Sequence, residues 1–176
     1  MVELYAVTDD TEPPPPPLRA VGADGLTALV GPAAPCGVYA PELRRRHDER
    51  LEALMERRTL VPIPFGTRLE DDDAVVAEVT ARRPELLYAL ARVRGAVELT
   101  VRAESCDGTA DALDAILAPA ARASKRLPGP ELLRSAYLVD REAVPEFVSH
   151  VEALRRPGLD VRCTGPSPPY SFTDAP

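Results

Sequence analysis

The sequence has no tryptophan, a single lysine (Lys125) and only two histidines (His47 and His150) among 176 residues. Neither histidine has another His or a Cys within four residues. The three cysteines (Cys36, Cys106 and Cys163) form no C-x-x-C, so the clustered spacing of a tetrahedral zinc site is missing. An odd number of widely spaced cysteines also argues against a disulfide framework and for a reducing, cytoplasmic setting. No run approaches the roughly 18 apolar residues of a membrane span. The opening Met1-Val2-Glu3-Leu4-Tyr5 has neither the basic nor the apolar region of a secretory leader, so neither span nor leader is expected. Lys125 follows Ser124 with no glycine nearby, which excludes a P-loop; no G-x-G-x-x-G follows a strand, and there is no G-x-S-x-G elbow. A net charge of −7 lacks the electrostatic footprint for nucleic acid.

What is present is 45% hydrophobic, rich in arginine, and carries 20 prolines. Val2 to Thr8 and Leu26 to Val30 read as strands. Between them, five consecutive prolines (Pro13 to Pro17) form a stiff connector. From Glu42 to Arg58, Leu43, His47, Leu51, Leu54 and Met55 fall on one helical face, with Pro41 suited to the first turn. His47 on that apolar face reads as a core histidine rather than a ligand. Thr59 to Gly66 is strand-like, but Pro62 and Pro64 remove N–H groups from the same side, so an edge strand or a bulge is predicted. Glu70 to Asp73 reads as the capped start of a helix. Calcium loops space their carboxylates at alternate positions around a glycine, whereas these four are adjacent. Pro84 opens a further helix with Leu86, Leu87, Leu90 and Val93 inward, ending at Gly95.

Beyond Gly95, Val97, Leu99 and Val101 alternate with polar residues, as in a half-buried strand. Asp111 to Arg126 has helical spacing, Ser135 to Val139 is a strand, Glu142 to Arg155 a helix, and Leu159 to Thr164 the last strand. The chain therefore divides into residues 1–94 and 95–176. The fold class is α+β: two small layered domains, with a strand–helix alternation in the second half that suggests a ferredoxin-like arrangement. The tail, Gly165 to Phe172, is rigid and aromatic. Tyr170 and Phe172 either fold back on the core or present a preorganised partner contact. Cys106 stands beside Asp107, which disfavours a reactive thiolate. No nucleophile, base and orienting group assemble in the pattern.

Six segments, taken in order, resemble the gas vesicle protein F/L family. They are Leu4-Tyr5-Ala6-Val7 with Leu26 to Val30; His47 to Met55; Leu60 to Thr67, with its P-x-x-F-G-T pattern; Val97-Glu98-Leu99; Ala136 to Val139; and Gly165 to Phe172. Ser167 stands where the family commonly has Trp. The resemblance implies two α+β domains, the second partly ferredoxin-like, and a non-enzymatic accessory protein of gas vesicle formation without a cofactor or bound metal. It implies a location at the gas vesicle. The implied partners are the major shell protein and other gas vesicle accessory proteins, with no nucleic acid. A contact surface is expected along Val61, Ile63, Phe65 and Thr67, together with Tyr170 and Phe172. Two other readings are open from the residues. One is a small-molecule-binding regulatory domain with Glu98, Arg102 and Arg141 converging in a pocket. The other is a metal-assisted hydrolase using Asp71 to Asp73.

Overall fold

The protein is represented by a computed structural model that describes residues 1–33, 41–105, 110–129 and 133–174. Cys36, Cys106 and Asp107 lie outside the described residues, and so does the expectation about the Cys106 thiol. The chain forms two compact units: Met1–Arg94 with Phe172–Pro176, and Gly95–Ser171.

The first unit is built on an antiparallel sheet of β1 (Val2–Thr8), β2 (Arg19–Ala23), β3 (Leu26–Pro32), β4 (Val61–Pro62) and β5 (Arg68–Leu69). The order is β2-β3-β1-β4, and β5 also pairs with β1. β2 was not expected. It forms a two-residue hairpin with β3, in which Ala23 faces Leu26 across Asp24-Gly25. Both turn residues take positive φ (48° and 80°), the geometry that matches the twist of paired strands. One sheet face carries Leu4, Val7, Ala28, Val30 and Val61. They pack with Val75 and Val79 of α2 (Asp72–Ala81) and with Leu86, Ala89 and Leu90 of α3 (Arg83–Val93). Leu87 departs from the expected inward face: it is 38% exposed, while Ala89 is buried. The acidic run does cap its helix, because the Asp71 side chain accepts from the Ala74 N–H at 3.0 Å. α1 (Pro41–Met55) buries His47, Leu51, Leu54 and Met55, and its His47 ring stacks on Tyr5 of β1 at 4.5 Å.

The second unit runs β6 (Ala96–Ser105), α4 (Ala110–Leu117), β7 (Ala123–Arg126), β8 (Leu133–Asp140), α5 (Val144–Ala153) and β9 (Leu159–Ser167). Its antiparallel sheet has the order β7-β8-β6-β9. This is the split β-α-β-β-α-β arrangement of ferredoxin-like folds. Leu99, Val101 and Ala103 of β6, Leu133, Tyr137 and Val139 of β8, and Val161 of β9 form the core face. Leu113 and Leu117 of α4 and Phe147 and Val151 of α5 cover it. The expected helix over Asp111 to Arg126 is corrected: α4 ends at Leu117, one 3₁₀ turn follows, and Ala123–Arg126 joins the sheet. Pro119 has no N–H with which to continue the helix. β7 bonds through its backbone while its side chains stay largely exposed, so no apolar alternation announces it.

Candidate functional site

Two segments carry the residues expected to meet a partner. The first lies along β1. β4 pairs Val61 with Val7 and Pro62 with Ala6, while β5 pairs Arg68 with Glu3 and Leu69 with Val2. Both run in the same direction beside one strand. They amount to a single edge strand interrupted at residues 63–67, where five residues oppose Leu4 and Tyr5. Ile63 N–H donates to the Tyr5 carbonyl at 2.9 Å, and Leu4 N–H donates to the Thr67 carbonyl at 2.9 Å. The flanking Pro62 and Pro64 need no partner on the opposite side, as the proline spacing predicts. The loop closes through Thr67, whose N–H and hydroxyl both donate to the Pro64 carbonyl (3.2 and 2.8 Å), with Gly66 at φ 85°.

The side chains of this bulge divide in two. Val61 and Ile63 are 2% and 4% exposed and belong to the core. Phe65 and Thr67 are half-buried. Phe65 sets its ring edge-on to His47 at 5.5 Å. Both nitrogens of the buried His47 ring are engaged. Nδ1 is 3.1 Å from Glu3 Oε1, and Nε2 donates to the Ile63 carbonyl at 3.1 Å. Glu3 Oε1 also accepts from the Gly66 N–H at 3.2 Å. The core reading of His47 holds, and its function is visible: it ties β1, α1 and the bulge together.

Beside Phe65 lies a cleft of about 180 Å³ walled by Tyr5, Pro17, Leu43, Arg46 and Arg50. Arg50 donates to the Tyr5 hydroxyl at 2.9 Å and lies 5.8 Å from the ring centroid. Burial, and then the Glu3 charge, push the Tyr5 hydroxyl above its ordinary pKa, so it stays a neutral phenol. This arrangement offers rings and a guanidinium for recognition. Sequence reasoning missed Tyr5, Arg46 and Arg50. The i, i+3, i+7 spacing of Leu43, Arg46 and Arg50 was the available signal.

The second segment is the tail. Pro168 and Pro169 are buried, and Tyr170–Phe172 forms a 3₁₀ turn. Ser171 donates from its N–H to Glu98 Oε2 and from its hydroxyl to Glu98 Oε1, both at 2.9 Å. Ser167 Oγ donates to the Glu98 carbonyl at 3.2 Å, and Lys125 Nζ donates to the Ser171 carbonyl at 3.3 Å. Glu98 is 7% exposed. Burial raises its carboxyl pKa, while the two Ser171 bonds and the Lys125 charge pull it back. Phe172 is 1% exposed and lies in the first unit, with the Arg92 guanidinium 5.7 Å from its ring centroid. Tyr170 is half-buried. The segment 61–67 lies in the first unit and Tyr170 in the second.

The residues of the other two readings have separate tasks. Glu98 is held by Ser171, Arg102 is exposed four residues further along β6, and Arg141 N–H donates to the Gly95 carbonyl at 3.0 Å. Asp71 caps α2, and Asp72 is paired with Arg19. Among the described residues no three His, Cys, Asp or Glu side chains are grouped to hold a metal ion. Burial raises the thiol pKa of the half-buried Cys163. Among the described residues no helix is long and apolar enough to cross a membrane.

Comparison with known proteins gives this arrangement a family. Residues 4–109 and 103–174 match the family described as gas vesicle synthesis protein GvpL/GvpF. Gas vesicle protein F of Streptomyces sp. (strain CB03234) is 31% identical over 147 residues, covering 72% of this chain and 62% of that protein. Gas vesicle protein F2 of Halobacterium salinarum is 28% identical, covering 73% of this chain and 66% of that one. The chain thus spans a little under two thirds of these relatives. Two crystal structures share its fold at 18% identity. GvpF of Microcystis aeruginosa has a TM-score of 0.83 with 99% of each chain covered. GvpF of Anabaena sp. PCC7120 has a TM-score of 0.86, covering 99% of this chain and 96% of that one. With the match running nearly end to end, the chain belongs to the GvpL/GvpF family of gas vesicle proteins.

Proposed function

We propose that this chain is a non-enzymatic accessory protein of gas vesicle formation that binds the major shell protein during assembly or at the vesicle wall. Other gas vesicle accessory proteins are further partners. The observation that carries this reading is the interrupted edge strand at 61–69, within the span matched to the family. A wall subunit with an apolar face and unpaired strand edges aggregates unless something covers it. An edge that exposes a half-buried ring beside a guanidinium cleft suits such a partner, and a net charge of −7 keeps the carrier itself dispersed. Of the expected residues, Phe65 and Thr67 in the first unit and, separately, Tyr170 in the second make the contacts. Val61, Ile63 and Phe172 act from beneath, by holding the bulge and the tail in place.

The test is co-purification with the shell subunit. Phe65→Ala with Tyr170→Ala should reduce capture at least tenfold while the melting temperature stays within a few degrees of the parent. Unchanged capture by a folded double variant would remove this surface from the proposal.

A further inference from the structure

The sheet of the second unit has one face covered by α4 and α5, and the opposite face carries a different pattern. β6 pairs Arg102 with Arg134 of β8 on one side and with Arg162 of β9 on the other. Three arginines therefore stand in one cross-strand row. Directly opposed like charges on neighbouring strands destabilise a sheet. In a chain of net charge −7 such a row has a cost that folding alone does not explain.

The cations are only partly answered. Arg162, with its side chain 74% exposed, donates from Nε and Nη2 to Asp160 Oδ2 at 3.0 and 2.7 Å. Arg134 donates from Nη1 to the Pro128 carbonyl at 3.1 Å, and its Nε makes no hydrogen bond. Arg102, in the middle of the row, is exposed, and its side chain makes no hydrogen bond or ion pair among the described residues. One step along the strands, Glu104 faces Asp160, so a row of acids adjoins the row of arginines.

We infer that this face binds an acidic helical segment of a partner protein, laid across the strands. Neighbouring strands lie about 4.8 Å apart. Carboxylates at i and i+4 on a helix are about 5–6 Å apart, close to the arginine spacing, whereas alternate residues of an extended strand are about 6.6 Å apart. A lysine row beside the carboxylates would meet Glu104 and Asp160. The same acidic row repels a phosphate backbone. The half-buried Thr100 and the exposed Arg102, Arg162 and Thr164 include no aromatic ring on which a base could stack, which disfavours a nucleic acid. Addition of a strand at β9 is also disfavoured, because Arg155 Nε already donates to the Val161 carbonyl at 3.0 Å.

This inference is independent of the shell-protein reading, since it concerns another surface and another chemistry. The experiment is a chemical-shift titration of the full chain with an alanine-based helical peptide. The peptide carries Glu at three successive i, i+4 positions and Lys on the adjoining row. Shifts are expected at residues 100–104, 134 and 160–164, weakening as salt is raised. Arg102→Gln should weaken binding about fivefold, as expected for loss of an exposed ion pair, and Arg102→Glu should abolish it. Both variants should melt no lower than the parent, because each relieves the repulsion. Equal binding by Arg102→Glu, equal binding of a Gln-for-Glu peptide, or tighter binding of a 20-nucleotide oligothymidylate at these residues would each overturn the inference.

Discussion

His47 Nδ1 lies 3.1 Å from Glu3 Oε1, and both side chains are buried, at 0% and 1% exposure. This contact joins the first strand to the first helix across 44 residues of sequence. It also sets the depth of the bulge that displays Phe65, because the same ring holds the Ile63 carbonyl. Removing one member of such a pair leaves the other buried without its main partner.

His47→Leu should therefore lower unfolding free energy by about 3 kcal/mol, within the range for breaking a buried polar pair. The double variant Glu3→Gln with His47→Leu should cost clearly less than the sum of the two single changes. Denaturant melts of all four proteins measure the coupling. Strict additivity would mean that the two groups do not act as a unit.

Glu98 should give the stability curve a recognisable slope with pH. Burial lifts its folded-state pKa above the ordinary 4.5, so the folded chain holds a proton there to higher pH than the unfolded one. The contribution is complete below the ordinary carboxylate range and is lost as pH rises through the raised value. Glu98→Gln keeps an acceptor for Ser171 without the titration. Its melting temperature relative to the parent should be highest at neutral pH, and the gap should narrow on acidification to about pH 4. A gap that stays constant across that range would contradict the assignment.

Gly165→Ala should loosen the tail. Gly165 has φ 120°, and a Cβ there would meet the Glu98 carbonyl oxygen at 2.7 Å. A cost of about 1–3 kcal/mol is expected for forcing an L-residue into this region. Hydrogen exchange at Ser171 should rise, since its N–H bond to Glu98 depends on the same geometry. Unchanged exchange with unchanged stability would show that the strand bends freely here.

Asp71→Ala should cost about 1 kcal/mol by removing the acceptor at the start of α2. Asp71→Asn should recover most of it, because the amide oxygen can accept from the Ala74 N–H. If both variants behave alike, local charge rather than capping explains the acidic run.

Much of the architecture was legible in the residues. The heptad-like face of α1, the cap at Asp71 and the alternation of Val97, Leu99 and Val101 each act over a few residues, where periodicity and side-chain chemistry are decisive. The edge character of residues 59–66 followed from the spacing of Pro62 and Pro64 alone. The Asp24-Gly25 turn signal was also present, but the strand before it, Arg19–Ala23, has only five residues and two buried positions.

What required the tertiary structure is where distant segments meet. Sequence placed Val61, Ile63 and Phe172 on an expected contact surface, but burial against other elements makes them core. β7 owes its existence to backbone bonds with β8, which leave no mark on its exposed side chains. The Arg102, Arg134 and Arg162 row depends on strand register, set by pairings across 32 and 60 residues of chain. Local order is written in neighbouring residues because its forces act over one or two turns. Register and burial arise only when the chain closes on itself, so they were decided by the packed fold.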